Sequence, residues 1–307
     1  MSRIVTLTVN PAVDKSSRVE RVVPDRKLRC EKPRFEPGGG GLNVSRAVKK
    51  LGGESTAIYT VGGPPGDLLR HLLEKESLRC RAVETAEWTR QNLMVYESAS
   101  GNQFRFGMPG PQLAESEWQH CLDVVAGLDP APEYLVASGS LPPGVPTDFY
   151  ARVAQVCSKN KVRLIVDTSG EPLSAALEAG VYLVKPNMNE LADIAGCEIS
   201  DESHQEECTR EVVSRGRSEA VMLTLGSAGA LLAYENGLQR LRAPSVNIQS
   251  KVGAGDSTVA GLVLGLTRGM DLPEAARFGI AAGAAAVMTP GSELCRREDA
   301  ERLYRKI

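Results

Sequence analysis

Hydrophobic and polar positions along the chain keep switching between two spacings. Residues 4–9 form a short β-branched run that stops at Asn10-Pro11, the pattern of a strand closed by a turn. The whole opening run 1–7 reads as strand and not as a signal peptide. Val44, Ala47, Val48 and Leu51 then recur at helical spacing, with Gly52-Gly53 as the stop. A strand is expected at 55–61, closed by Gly62-Gly63-Pro64-Pro65-Gly66, and a helix at 67–74. From 115 onward the same rhythm predicts helix 115–126, strand 134–137, helix 148–160, strand 163–167, helix 174–178 and strand 182–184. Helices at 189–195 and 208–215 lead to strand 220–224 and its hairpin partner 230–234. An extended polar segment, 246–251, precedes a small-residue helix at 258–268. An alanine-rich helix at 275–287, able to pack very closely, and an amphipathic one at 298–306 finish the chain. Such alternation predicts an α/β fold: a mostly parallel sheet with helices on both faces.

Two stretches break the rhythm. Residues 16–36 interleave basic side chains with Val19, Val22, Val23, Leu28 and Phe35, and read as two short strands around a turn near Pro24-Asp25. Residues 91–97 and 102–107 read as a hairpin around Ser98-Ala99-Ser100-Gly101. Leu93, Val95, Phe104 and Phe106 alternate with other residues and give that hairpin one apolar face. A small sheet with an apolar face needs cover. A second copy of the chain could supply it, which makes a homodimer through this sheet an expectation.

Composition narrows the picture by exclusion. The chain has 307 residues, a net charge of −2 and a pI near 6.1, so it carries no electrostatic footprint of nucleic-acid binding. No apolar run reaches membrane-spanning length, so no membrane partner is expected. Seven cysteines without a C-x-x-C pair suit a reduced, cytoplasmic protein. The three histidines, His71, His120 and His204, are far apart, which disfavours a His-based metal cluster or a Ser-His-Asp triad.

The candidate chemistry lies in the glycine-rich turns. Val252-Gly253-Ala254-Gly255-Asp256-Ser257 stands just before a helix, where free backbone N–H groups suit an anion. Asp256 is then either a plain N-cap or a carboxylate that handles a proton beside that anion. Four glycines, Gly38 to Gly41, run straight into the helix after Asn43, another place for close ligand approach. Asp14 follows the first strand and is either a turn residue or a grip for hydroxyls at a strand's carboxyl end. Asn187 and Glu190, three apart on one helix face, could organise a hydrated Mg²⁺ or serve the helix start alone. There is no G-x-x-x-x-G-K-[ST] loop, and no G-x-G-x-x-G follows the first strand. A P-loop protein is excluded and a Rossmann dehydrogenase disfavoured.

These motifs resemble the ribokinase-like (PfkB) carbohydrate kinases, nearly end to end, and within them the B-type 6-phosphofructokinases. The two signatures are Pro37-Gly38-Gly39-Gly40-Gly41-Leu42-Asn43 and Val252-Gly253-Ala254-Gly255-Asp256-Ser257; Asn187-Met188-Asn189-Glu190 resembles the family's N-x-x-E element. Lys27-Leu28-Arg29-Cys30, Trp88-Thr89-Arg90-Gln91-Asn92 and Ser138-Gly139-Ser140-Leu141-Pro142-Pro143-Gly144 resemble the phosphofructokinase branch. Gly40 is often lysine in the 1-phosphofructokinase relatives, so its identity favours the 6-phosphofructokinases.

The resemblance implies a three-layer α/β/α sandwich, one kinase domain over 1–307, with a β-sheet lid built from about 14–36 and 88–107. It implies ATP-dependent phosphorylation of the C1 hydroxyl of fructose 6-phosphate. Asp256 would be the base, with Gly253, Ala254 and Gly255 as the anion hole. Asp14, Gly39, Asn43, Ser138 and Gly139 would hold the sugar, and Lys27, Arg29 and Arg90 its phosphate. Lys185, Asn187, Thr224, Gly226, Gly229 and Ala284 would line the ATP site. Asn187 and Glu190 would hold Mg²⁺, partly through water. Many relatives also bind a monovalent cation, which here would be K⁺ at Ser250, Val252, Ala286, Thr289 and Gly291. Lys251 stands where threonine is common, and Glu293 where the nearest relatives have arginine. A kinase for another ketose phosphate, such as tagatose 6-phosphate or fructose 1-phosphate, and a sugar-phosphate sensor without turnover are the competing readings.

Overall fold

Strand β1 (Ile4–Thr8) runs through the middle of the molecule, and its alternation shows how the layers arise. Ile4 and Thr6 face one layer, where Thr6 Oγ1 lies 2.9 Å from Ser45 Oγ. Val5 and Leu7 face the other layer. The computed structural model describes residues 3–291 and 293–307; Met1 and Ser2 of the expected N-terminal strand lie outside them.

In chain order, β2 (Ala12–Val19) and β3 (Arg34–Gly38) precede α1 (Gly40–Lys50), β4 (Thr56–Val61), α2 (Gly63–Lys75) and β5 (Arg79–Glu84). The hairpin β6 (Arg90–Glu97) and β7 (Gln103–Phe106) comes next. Then follow α3 (Glu115–Ala126), β8 (Tyr134–Ser138), α4 (Phe149–Lys159), β9 (Arg163–Asp167), α5 (Glu171–Ala179) and β10 (Val181–Val184). Two helices, α6 (Met188–Ala195) and α7 (Glu202–Ser214), lead to β11 (Ser218–Thr224), β12 (Ala230–Tyr234) and β13 (Gly237–Leu241). The chain ends in α8 (Ala254–Thr267), α9 (Leu272–Val287) and α10 (Arg297–Tyr304).

The main sheet has nine strands in the order β13-β12-β11-β10-β9-β8-β1-β4-β5. All pairings from β11 to β5 are parallel, and β12 pairs antiparallel with both β11 and β13. One face is covered by α1, α8, α9 and α10 through Val44, Leu51, Val259, Phe278 and Leu303. The opposite face is covered by α3 to α7 through Trp118, Phe149, Leu173, Leu191 and Val212. The expected α/β class and two-sided cover are therefore present. The strand order reverses beside β1, with β4 on one side and β8 on the other, which opens a crevice at the carboxyl ends of the strands. Helices α8 and α9 meet as closely as their alanines and glycines suggested: a Cβ on Gly261 would sit 2.8 Å from Ala282 Cβ and 2.9 Å from Gly279 Cα.

Several boundaries differ from the sequence expectation. Helix α2 starts at Gly63, because Pro64 and Pro65 fall in the first turn, where a missing N–H costs nothing. The helix expected at 208–215 starts at Glu202 instead, because Asp201 Oδ1 accepts from His204 N at 2.9 Å and caps it. Strands β5 and β13 gave no recognisable alternation. Both are edge strands of polar composition with one buried side chain each, Val83 and Leu241. In the segment 16–36 the strands lie further out than expected, and 20–33 has no regular structure apart from a turn at Pro24-Asp25.

The second sheet has four strands in the order β3-β2-β6-β7, drawn from the two segments that broke the α/β rhythm. Its register sorts the side chains by face. Phe35, Lys15, Leu93 and Phe106 lie in one row across it. Asp14 shares the other face with Glu36 and Asn92, its partners on the two neighbouring strands. No helix among the described residues is long and apolar enough to cross a membrane.

Candidate active site

The site forms where the glycine run, the carboxyl ends of β1 and β8, and the N-terminus of α8 come together. Gly38 to Gly41 are there because nothing larger fits. A Cβ on Gly38 would collide with the Asp14 carboxylate, and one on Gly40 with Ser138 Oγ. Gly39 has φ 115°, which side chains rarely adopt, and it caps α1. Ser138, at the end of β8, and Gly139, at φ 112°, form the opposite wall.

Asp256 is the centre of the constellation. Helix α8 begins at Ala254 and its cap is Gly253, in the left-handed conformation with φ 73°. Asp256 is thus the third residue of the helix and caps nothing by side chain, so the plain N-cap reading does not hold. Its Oδ2 accepts a hydrogen bond from Asn43 Nδ2 at 3.0 Å, joining the two glycine motifs across 213 residues of chain. Asn43 is itself aimed by Arg46 Nη1, which donates to Asn43 Oδ1 at 3.1 Å and to Pro37 O at 3.0 Å. Arg46 is buried and paired with Glu76 at 2.8 Å. Below Asp256 lies a second ion pair, Lys185 Nζ to Asp167 Oδ1 at 3.1 Å. Burial and the neighbouring Asp167 carboxylate push the Asp256 pKa up to about 6, against the lowering effect of Asn43, Lys185 and Arg46. Burial works against the Lys185 ammonium, but Asp167, Glu190 and Asp256 outweigh it and hold its pKa above the ordinary lysine value. Gly255 has no Cβ to crowd Lys185 Nζ, which lies 3.5 Å from where one would be. A carboxylate poised near neutrality, backbone amides at a helix start and a fixed ammonium together suit proton removal beside an anion.

On the lid, Asn92 Nδ2 donates to Asp14 Oδ1 at 2.8 Å. Arg90, the first residue of β6, donates to Asn10 O at 2.9 Å and Met108 O at 3.1 Å. Burial lowers its pKa, opposed by Asp14. Its buried Nε–H finds no acceptor, and neither does Asn10 Oδ1 find a donor. Lys27 and Arg29 are exposed on the irregular segment 20–33, whereas Arg90 is held at this edge by its bonds to Asn10 and Met108.

Across the crevice, Asn187 and Glu190 form a capping box at the start of α6. Asn187 Oδ1 accepts from Asn189 N at 2.9 Å and Glu190 N at 3.0 Å, and Glu190 Oε2 accepts from Asn187 N at 2.8 Å. Burial raises the Glu190 pKa, opposed by the Asn187 amide and Lys185. Thr224 is tied to the same turn, its N donating to Pro186 O at 2.9 Å and bridging to Asn187. A cleft of about 460 Å³ opens there, lined by Asn187, Thr224, Gly226, Glu202, Gln205 and Arg240. Gly226 (φ 60°) and Gly229 (φ 102°) shape the turn after β11. Ala284 lies half-buried on α9. The expected K⁺ residues come from two adjoining loops, joined where Gln249 N donates to Val287 O at 2.7 Å. Ser250, Ala286 and Thr289 are buried there, and Val252 and Gly291 are half-buried. Lys251 is exposed.

Sequence reasoning missed Arg46, Asp167, Asn92 and Arg240. Arg46 had a signal, three residues past Asn43 on the same helix face. Asp167 had one too, as the acidic end of a strand.

Three comparisons bear on this geometry. Residues 5–299 match the model of the pfkB family of carbohydrate kinases. The chain is 44% identical to the ATP-dependent 6-phosphofructokinase isozyme 2 of Mycobacterium tuberculosis, over 98% of this chain and 89% of that one. It is 42% identical to the protein of the same description from Escherichia coli, over 99% and 98%. In structure it superimposes on phosphofructokinase-2 of Escherichia coli in complex with potassium with a TM-score of 0.96, covering 100% and 99% of the two chains. It also superimposes on that enzyme in complex with substrates and products with a TM-score of 0.94, covering 99% of each.

Proposed function

The chain belongs to the pfkB family of carbohydrate kinases, and on that premise we propose that it moves the γ-phosphoryl group of ATP onto the C1 hydroxyl of fructose 6-phosphate, giving fructose 1,6-bisphosphate and ADP. The observation that carries the reading is the Asn43–Asp256 hydrogen bond, which fixes a half-buried, proton-accepting carboxylate between the glycine run and the start of α8.

In the reaction Asp256 accepts the proton of the C1 hydroxyl as the oxygen attacks phosphorus. The N–H groups of Gly253, Ala254 and Gly255 face the charge that develops on the transferring group, and Lys185 adds a fixed positive charge close by. Asp14, aimed by Asn92, holds the sugar hydroxyls with Asn43, Gly39, Ser138 and Gly139. Arg90 holds the sugar's distal phosphate, which gives its orphaned Nε–H an acceptor. The adenine nucleotide lies in the cleft of Asn187, Thr224 and Gly226, with Gly229 and Ala284 beside it.

Mg²⁺ fits this donor set through water. Asn187 Oδ1 already takes two backbone N–H groups, whereas Glu190 keeps an oxygen beyond its capping bond. Bound with ATP, the ion would screen the phosphate charge. We also assign a monovalent cation to the two adjoining loops that carry Ser250, Val252, Ala286, Thr289 and Gly291. We read lid and main sheet as one kinase domain, working in the cytoplasm as a homodimer paired through the lid's apolar face.

Relatives that phosphorylate other ketose phosphates, among them the 1-phosphofructokinase of Bacillus subtilis at 30% identity, define the second reading. Gly40 speaks against it, since lysine often stands at that position in the 1-phosphofructokinase relatives. The test is a steady-state panel with MgATP on fructose 6-phosphate, fructose 1-phosphate, tagatose 6-phosphate and free fructose. Fructose 6-phosphate should give the highest kcat/KM, and another sugar in first place would replace the reading.

A further inference from the structure

Helix α6 ends at Gly196 in the left-handed conformation with φ 69°, and the chain doubles back there. Cys197 N donates to Ala192 O at 3.3 Å, which sets Cys197 beside the first turns of α7. On α7, His204 and Cys208 are four residues apart and share a helix face. The donor atoms of Cys197, His204 and Cys208 all lie within 4.8 Å of one another, and Cys197 Sγ is 3.7 Å from His204 Nε2. A tetrahedral Zn²⁺ with bonds of about 2.3 Å to sulfur and about 2.0 Å to nitrogen holds its donors about 3.5–3.8 Å apart. Small side-chain rotations bring this trio to that spacing.

An independent observation concerns the far side of the imidazole. His204 Nδ1 lies 3.5 Å from Ser200 Oγ, and Ser200 Oγ donates to Asp201 Oδ2 at 3.3 Å. Ser200 N also donates to Nδ1 at 3.5 Å, so Nδ1 is an acceptor in the metal-free chain. Metal uptake at Nε2, the atom 3.7 Å from Cys197 Sγ, shifts the ring proton to Nδ1, where Ser200 Oγ can accept it. A metal-ligating imidazole donates its other ring N–H to a polar neighbour, and Ser200 Oγ, tied to Asp201, is the neighbour within reach here. Asp201 is doubly anchored, since it also caps α7 through His204 N.

We propose that Cys197, His204 and Cys208 form a Zn²⁺ site that pins the turn after α6 onto α7. Two thiols and one imidazole are a borderline-soft donor set, which selects Zn²⁺ over the hard Mg²⁺ of the nucleotide site. As the two Zn–S bonds form, each thiol gives its proton to solvent, and the pair of thiolates neutralises the ion. The fourth position is left to water on the exposed side of Cys197. The site is distinct from the phosphoryl-transfer centre but adjoins it, because Glu202 and Gln205 of the same helix line the nucleotide cleft.

The full-length chain, reduced and free of nucleotide, should be titrated with Zn²⁺ against a chromogenic chelator. One equivalent should bind tightly. Co²⁺ in its place should show tetrahedral d–d bands with thiolate charge transfer. Cys197→Ser and His204→Gln should each abolish both signals, and Ser200→Ala should weaken binding by about 10- to 100-fold. The double variant Cys30→Ser/Cys80→Ser, which removes the other exposed thiols, should bind as the wild type does. Zn²⁺ should raise the thermal midpoint of the wild type and leave that of Cys197→Ser unmoved, which separates a lost ligand from a misfolded variant. Absence of binding, binding that survives both ligand substitutions, or a Cys197–Cys208 disulfide formed in preference to metal uptake would overturn the proposal.

Discussion

At the residue scale, Asp256 makes function and stability pull in opposite directions. Its carboxylate is held at a pKa of about 6 by burial and Asp167. A base works only when unprotonated, so kcat/KM should fall tenfold per pH unit below about pH 6, and a flat profile from pH 7 down to pH 5 would remove Asp256 from that role. The same shift has a stability sign. The folded pKa is raised, so the folded chain holds this proton more tightly than the unfolded chain, and stability is lost as pH rises through about 6. Asp256→Asn removes that titration while Asn43 keeps an acceptor. The variant should lose about 10²–10⁴-fold in kcat with little change in KM. It should also be more stable than the wild type at pH 8, by up to about 3 kcal/mol, and so unfold at a higher temperature, with the gap closing as pH falls toward 4. A variant both active and less stable would show that the carboxylate is structural.

At the element scale, the hairpin β6–β7 brings Arg90 to the crevice and lays an apolar row on the lid's far side. Arg90→Ala should lower kcat/KM for fructose 6-phosphate by about 10- to 100-fold, the loss of one charge-assisted bond of about 1.5–3 kcal/mol. Activity on unphosphorylated fructose should fall far less, and KM for ATP should hardly move, because the cleft proposed for the nucleotide is lined by Asn187, Thr224 and Gly226 and not by Arg90. Equal losses on both sugars would mean that Arg90 only fastens the lid to Asn10 and Met108.

For the whole molecule, the second sheet poses the question of assembly. Phe35 and Phe106 are 37% and 47% exposed at the two ends of one row, with Lys15 and Leu93 between them. Such a face on a four-stranded sheet asks for cover, and in the proposed dimer a second lid would supply it. Sedimentation should find a dimer at assay concentrations, and Phe106→Asp should shift it to monomer. An active wild-type monomer would exclude the assembly.

How much of this was legible in advance follows from the range of the interactions involved. The order of strands and helices from 115 onward, the layered α/β class and the glycine-bounded motifs are local properties, because side-chain periodicity and backbone freedom act over a few residues. Strands β5 and β13 escaped because an edge strand buries one side chain and leaves no alternation to see. The cap of α8 could not be read locally either: Gly253 takes that place, and Asp256 is turned toward Asn43, 213 residues away. Arg46 and the Lys185–Asp167 pair became part of the site only when the sheet brought β9, β10 and α1 together. The pKa of Asp256 has the same origin, since burial and a neighbouring charge exist only in the folded chain. The sequence determined which backbone could approach a phosphate; the tertiary structure decided which carboxylate waits there, and in what state of ionisation.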